Sequence, residues 1–93
     1  MTSTKSLFDL SGRSVLITGG GGALGGAIGL GLSQAGAEVI IADIKLENAA
    51  NVVANIKAAG GVAHAFEADL SKETEVEELF AKIDKITTLN ILV

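Results

Sequence analysis

Two kinds of hydrophobic run alternate along the chain. Ser14-Val15-Leu16-Ile17-Thr18 is a short, β-branched stretch with glycine near either end, the profile of a strand buried on both faces. Glu38-Val39-Ile40-Ile41-Ala42-Asp43 reads as a second buried strand that ends in an acid, Val62 to Glu67 as a third, and Leu89 to Val93 begins a fourth. The intervening segments have helical spacing. From Ala23 to Ala35, Leu24, Ile28 and Leu32 recur every fourth residue and predict the core stripe of a first helix. Gly25, Gly26, Gly29 and Gly31 lie in the same segment, and each weakens helix propensity by about 1 kcal/mol. A helix that tolerates this needs its backbone close to something, either the sheet beneath or a ligand at its start. Gly36 stands where a C-terminal cap belongs. Leu46 to Ala59 predicts a second helix with Val52, Val53 and Ile56 inward, closed by Gly60-Gly61. After the loop Ala68-Asp69-Leu70-Ser71, the residues Val76, Leu79, Phe80 and Ile83 fall at i, i+3, i+4 and i+7 of a third helix. Ser71 is its expected N-cap, with Glu73 and Glu75 placed favourably against the helix dipole.

Strands alternating with helices of this length imply parallel pairing through right-handed crossovers. The expected fold is α/β: a Rossmann-type parallel sheet, the βαβαβαβ half of a doubly wound fold, in strand order 3-2-1-4. Residues 1–93 are read as a single partial dinucleotide-binding domain, truncated inside its fourth strand. The first two helices would cover one face and the third the other, leaving apolar area around Val15, Ile17 and Ile91 partly open and Leu89 to Val93 as an unpaired edge. Such surfaces promote association, so the isolated chain is expected to be marginally folded or to self-associate.

At 93 residues, 48% hydrophobic and 3% aromatic, the chain must build its core from Ala, Val, Ile and Leu. A net charge of −4 disfavours a non-specific grip on nucleic acid or an anionic membrane. The absence of cysteine excludes disulfides, thiolate metal sites and cysteine nucleophiles. With no signal peptide and no span-length apolar run, a cytoplasmic address is the default expectation. His64, the one histidine, sits inside a strand without a second imidazole or thiol, so it reads as structural and no metal is expected. The acids Glu73, Glu75, Glu77 and Glu78 follow the polar face of the third helix and read as solvated.

The junction Thr18-Gly19-Gly20-Gly21-Gly22-Ala23-Leu24-Gly25 carries the chemistry, because it leaves a strand and opens a helix. Gly20, Gly22 and Gly25 match G-x-G-x-x-G, and Asp43 ends the next strand about twenty residues on. A pyrophosphate needs backbone N–H groups at a helix N-terminus, and a Cβ in the turn would hold that backbone away. Asp43 would accept hydrogen bonds from the adenosine ribose and repel a 2′-phosphate, which favours NAD over NADP. A strand-end cap is the alternative role for Asp43, and a turn or cap before the third helix is the alternative for Asp69.

These residues also resemble the short-chain dehydrogenases/reductases, whose fingerprint is T-G-x-x-x-G-x-G. Thr18, Gly19 and Gly25 fit it, while Ala23 stands at the middle glycine with Gly22 just before it. Asp69-Leu70 is similar to the family's Asp-hydrophobic pair that contacts adenine, and Leu89 to Val93 resembles its fourth strand. The resemblance implies an NAD(P)-dependent oxidoreductase that interconverts an alcohol and a carbonyl on a small molecule, as a homo-oligomer. It implies a cofactor-binding set of Gly19, Gly21, Gly22, Ala23, Leu24, Gly25, Asp43, Asp69 and Leu70. The family's catalytic serine, tyrosine and lysine lie further along, and the chain holds no tyrosine, so no catalytic residue is assigned and no turnover is expected from it alone. The helix segment after the glycines resembles members acting on sugar acids such as mannonate or fructuronate. The alternative is a non-catalytic nucleotide-binding or interaction module; the continuation of the reading frame separates the two.

Overall fold

The computed structural model describes residues 10–19 and 22–92. Among them, β1 (Ser14–Thr18), β2 (Glu38–Asp43), β3 (Val62–Glu67) and β4 (Ile91–Leu92) alternate with α1 (Ala23–Gln34), α2 (Leu46–Ala58) and α3 (Glu73–Asp84). The strands form one parallel sheet in the order β3-β2-β1-β4, as the sequence predicts. β1 pairs with β2 from Ser14↔Glu38 to Thr18↔Ala42, and β2 with β3 from Glu38↔Val62 to Asp43↔Glu67. β4 is shorter than the predicted Leu89 to Val93. Ile91 and Leu92 lie beside Val15 and Leu16, while Val93 falls outside the described residues.

The chain winds outward from β1 through β2 to β3, then returns to the other side of β1. Right-handed crossovers therefore put α1 and α2 on one face and α3 on the other. Successive strand side chains point to opposite faces, and the core divides accordingly. Val15, Ile17, Val39 and Ile41 pack with Val52, Val53 and Ile56 of α2. Leu16, Ile40 and Ala42 pack with Leu79 and Ile83 of α3. Gly36, at φ +103°, takes the left-handed conformation just past α1 that its predicted capping role requires.

Three expectations are corrected. Val15 and Ile17 are not partly open; they are 0% and 3% exposed, because they lie on the face that carries two helices. Of the predicted stripe Leu24, Ile28, Leu32, only Leu32 packs against the core, beside Leu30, whereas Leu24 is 75% and Ile28 38% exposed. The helix turns Gly29 inward instead, where a Cβ would already meet Cδ1 of Ile17 and Ile41 at 3.4 Å and of Ile56 at 3.5 Å. Packing by its thinnest side lets the helix backbone approach the sheet. Ser71 is not the N-cap of α3, a position held by Lys72. Its N–H and hydroxyl both donate to Asp69 Oδ1, at 3.0 and 2.6 Å, a local closure that competes with capping.

At the N-terminal end of the sheet, side chains lace neighbouring strands together. The Ser14 hydroxyl donates to Glu38 Oε1 at 3.1 Å and meets Thr87 Oγ1 at 2.7 Å. The Ser14 N–H donates to Asn90 Oδ1 at 3.0 Å, and His64 Nε2 lies 2.8 Å from Glu38 Oε2. His64 thus has a structural partner. Among the described residues, no group of three or more metal-ligating side chains occurs, and no helix is long and apolar enough to cross a membrane.

Candidate functional site

The opposite end of the sheet, at the C-termini of the strands, gathers most of the residues singled out from sequence. The Gly19 N–H extends the ladder by donating to Ala42 O at 2.8 Å, and the chain then turns at φ +65°. That left-handed conformation is open to glycine and strained for most other residues. Gly20 and Gly21 lie outside the described residues. Gly22 is the extended N-cap of α1, whose first turn contains no acid. A Cβ at Gly22 would meet no atom within 4 Å. Gly22 thus has clear space about its Cα before α1, whose first turn carries no acid, and both features favour an anion at a helix N-terminus.

Two grooves meet at Gly19. One, of about 450 Å³, is bounded by Ile17, Thr18, Gly22, Ala23, Leu24, Gly25 and Ile28. The other, of about 230 Å³, is bounded by Ala42, Asp43, Ile44, Ala68 and Leu70. The structure thus brings Gly19, Gly22, Ala23, Leu24 and Gly25 together on one side and Asp43 with Leu70 on the other. A depression of about 480 Å³ at the far end of the sheet includes Ser14, Glu38 and Thr87, but those groups bond to one another as described.

Asp43 is half-buried, and its Oδ1 accepts the Lys45 N–H at 2.9 Å. That is the strand-end role considered from sequence, and it also orients the carboxylate. A carboxylate offers about four acceptor positions, so this bond is compatible with receiving ribose hydroxyls. Asp69 stands beside the groove with its carboxylate engaged in the turn to Ser71. Bonds from the Ser71 hydroxyl and N–H hold its pKa below the ordinary 3.8 against slight desolvation, with Lys72 adding to the effect.

Sequence reasoning missed Ile44, 61% exposed on the groove wall directly after Asp43. A large apolar residue in a loop behind a strand-end acid was the available signal. Glu75, read from sequence as part of a solvated face, is instead half-buried, and its Oε1 accepts the Asp69 N–H at 2.9 Å.

The sequence profile of the short chain dehydrogenases matches residues 13–93. The chain belongs to the short-chain dehydrogenase/reductase family. A short chain dehydrogenase/reductase of Colletotrichum higginsianum is 36% identical over 93 residues, covering 99% of this chain and 35% of that protein. The 7alpha-hydroxysteroid dehydrogenase of Escherichia coli K12 is 38% identical over 86 residues, 90% of this chain and 33% of that one. The chain spans about a third of the length of the curated relatives it matches. Among solved structures, a 3-oxoacyl (acyl-carrier-protein) reductase of Agrobacterium tumefaciens C58 with NADP bound superposes with TM-score 0.86 at 36% identity, over 97% of this chain and 35% of that one. A putative D-mannonate oxidoreductase of Haemophilus influenza with bound NAD gives TM-score 0.88 at 25% identity, over 97% and 32%. The short-chain dehydrogenases/reductases bind NAD(P), and both forms of the dinucleotide occur among these neighbours.

Proposed function

We propose that this chain is the NAD(H)-binding part of an oxidoreductase that interconverts an alcohol and a carbonyl, with the catalytic groups supplied by residues outside 1–93. The observation that carries the reading is the arrangement about Gly19. A left-handed glycine ends β1, Gly22 opens α1 without a side chain in front of it, and Asp43 ends β2 on the adjoining groove. The α1 amides would hold the pyrophosphate, Asp43 the adenosine ribose, and Ile44 with Leu70 the adenine. When bound, the cofactor supplies or accepts the hydride. Catalysis is favoured over a purely nucleotide-binding module because the relatives carry the names of dehydrogenases, reductases and an oxidoreductase. Those names span a steroid, an acyl-carrier-protein substrate and a mannonate, so alcohol–carbonyl exchange is what they share. The resemblance to sugar-acid members selects mannonate and fructuronate as the first substrates to assay.

Calorimetric titration with NAD(H) and NADP(H) tests the cofactor assignment. NAD(H) is expected to bind at least about tenfold tighter, and Asp43→Ser to narrow that gap, because the carboxylate repels a 2′-phosphate. Equal or tighter NADP(H) binding by the unaltered protein rules the role of Asp43 out.

A further inference from the structure

Three of the acids early in α3, namely Glu73, Glu77 and Glu78, are exposed, as a solvated face should be, but Glu75 is half-buried. A glutamate at the third helical position ordinarily reaches back to the N–H of the N-cap residue. Here the N–H of the N-cap, Lys72, is already donated to Asp69 O at 3.0 Å. Glu75 reaches further, and its Oε1 accepts the N–H of Asp69 at 2.9 Å. Asp69 is therefore held at its N–H by Glu75, at its carbonyl by Lys72 and at its carboxylate by Ser71. Just upstream, the Ala68 N–H donates to Asp43 O at 3.0 Å. These anchors bracket Leu70, which is 41% exposed and forms the wall of the groove opposite Asp43.

We infer that Glu75 is a positioning residue for the cofactor: through the Asp69 amide it fixes the segment that carries Ala68 and Leu70, the groove wall against which the adenosine half packs. It touches no ligand itself. The inference rests on the reading of that groove given above. The hydrogen bond, and not the charge, does the positioning. The Lys72 Nζ is 3.6 Å from Glu75 Oε2 and 64% exposed, so the ion pair adds little. Glutamine keeps an acceptor at Oε1, whereas alanine and methionine do not. Glu73 shares the helix dipole but lies on the exposed side.

The experiment measures ADP-ribose affinity by calorimetry and amide exchange at Asp69 in the full-length protein, for the unaltered sequence and four variants. Glu75→Ala and Glu75→Met are expected to weaken ADP-ribose about fivefold and to speed exchange at Asp69, the loss of one charge-assisted hydrogen bond. Glu75→Gln is expected to stay within about twofold, and Glu73→Ala to leave affinity unchanged while lowering thermal stability slightly. Methionine preserves helix propensity and volume, so it carries the test if the alanine variant folds poorly. Unchanged affinity in Glu75→Met, or equal losses in Glu75→Gln or Glu73→Ala, overturns the positioning role. If the unaltered protein binds neither NAD(H) nor ADP-ribose, the groove assignment itself fails and the inference goes with it.

Discussion

Glu38 opens β2 half-buried, with His64, Ser14 and Thr87 turned toward it. Burial works to raise its pKa, and the bonds from His64, Thr87 and Ser14 outweigh it, leaving the carboxyl below its ordinary 4.5. A carboxyl more acidic in the folded than in the unfolded chain contributes stability that is complete above the unfolded value. That contribution disappears as pH falls through the folded one. Resistance to urea is therefore expected to fall on acidification from about pH 5 downward, and the Glu38→Gln variant to show a flatter fall across that window. Asp69 changes stability in the same direction, so the difference between the two proteins, not the slope of either, is the quantity to read. An equally steep fall in the variant removes Glu38 from the account. The pairing was not legible in the sequence. His64 and Glu38 are 26 residues apart, and the register that sets Glu38 opposite Val62 brings His64 diagonally to it.

Among the elements, α1 departs furthest from its pattern. Reading a helix by its large apolar residues assumes that all of them face inward, but α1 meets Ile17, Ile41 and Ile56 through Gly29, with Leu30 and Leu32 alongside and Leu24 and Ile28 turned out. Gly29→Ala is expected to be near neutral: a contact at 3.4 Å is tight, yet alanine recovers about 1 kcal/mol of helix propensity. Gly29→Val adds two further methyls against the same isoleucines and is expected to cost about 1–3 kcal/mol. It should also weaken cofactor binding by lifting the start of α1. Urea midpoints and NAD(H) titration check both, and a fully stable valine variant would show that the helix does not rest on its glycine. The strands were legible because a parallel sheet buried on both faces leaves continuous β-branched runs. β1, β2 and β3 have the predicted bounds, the stripe Val52, Val53, Ile56 is buried, and of Val76, Leu79, Phe80 and Ile83 the second and fourth are buried while Val76 and Phe80 are half-buried. The turn at Gly19 and the acid closing β2 were legible because a glycine run and an Asp stand directly after strand-sized apolar runs. Ile44 and Glu75 were not, since a groove wall and a bond across a turn have no periodicity.

For the molecule as a whole, exposed large apolar residues include Leu24 and Ile28 along one side of α1 and Ile44 and Leu70 around the second groove, with Leu46, Val62 and Ile86 elsewhere. Self-association is still to be tested, and the surface to test for it is α1 and not the sheet face at Val15 and Ile17, which is buried. A chain of this size buries only about 60–65% of its unfolded surface, so such exposure weighs heavily. In sedimentation velocity the 93-residue chain is expected to associate at micromolar concentration, and Leu24→Gln with Ile28→Gln to reduce it. A strictly monomeric species with a steep, concentration-independent urea transition would show that this surface is tolerated.

Asp43 divides its labour between its backbone and its side chain. Its carbonyl belongs to the sheet through Ala68, while its carboxylate faces the groove and takes the Lys45 N–H. Asparagine or serine there retains an acceptor for that turn. On the proposed role of Asp43, one substitution there would change the charge facing the dinucleotide while leaving its carbonyl bonded to the Ala68 N–H, so cofactor preference and sheet architecture are set by separate atoms of one residue.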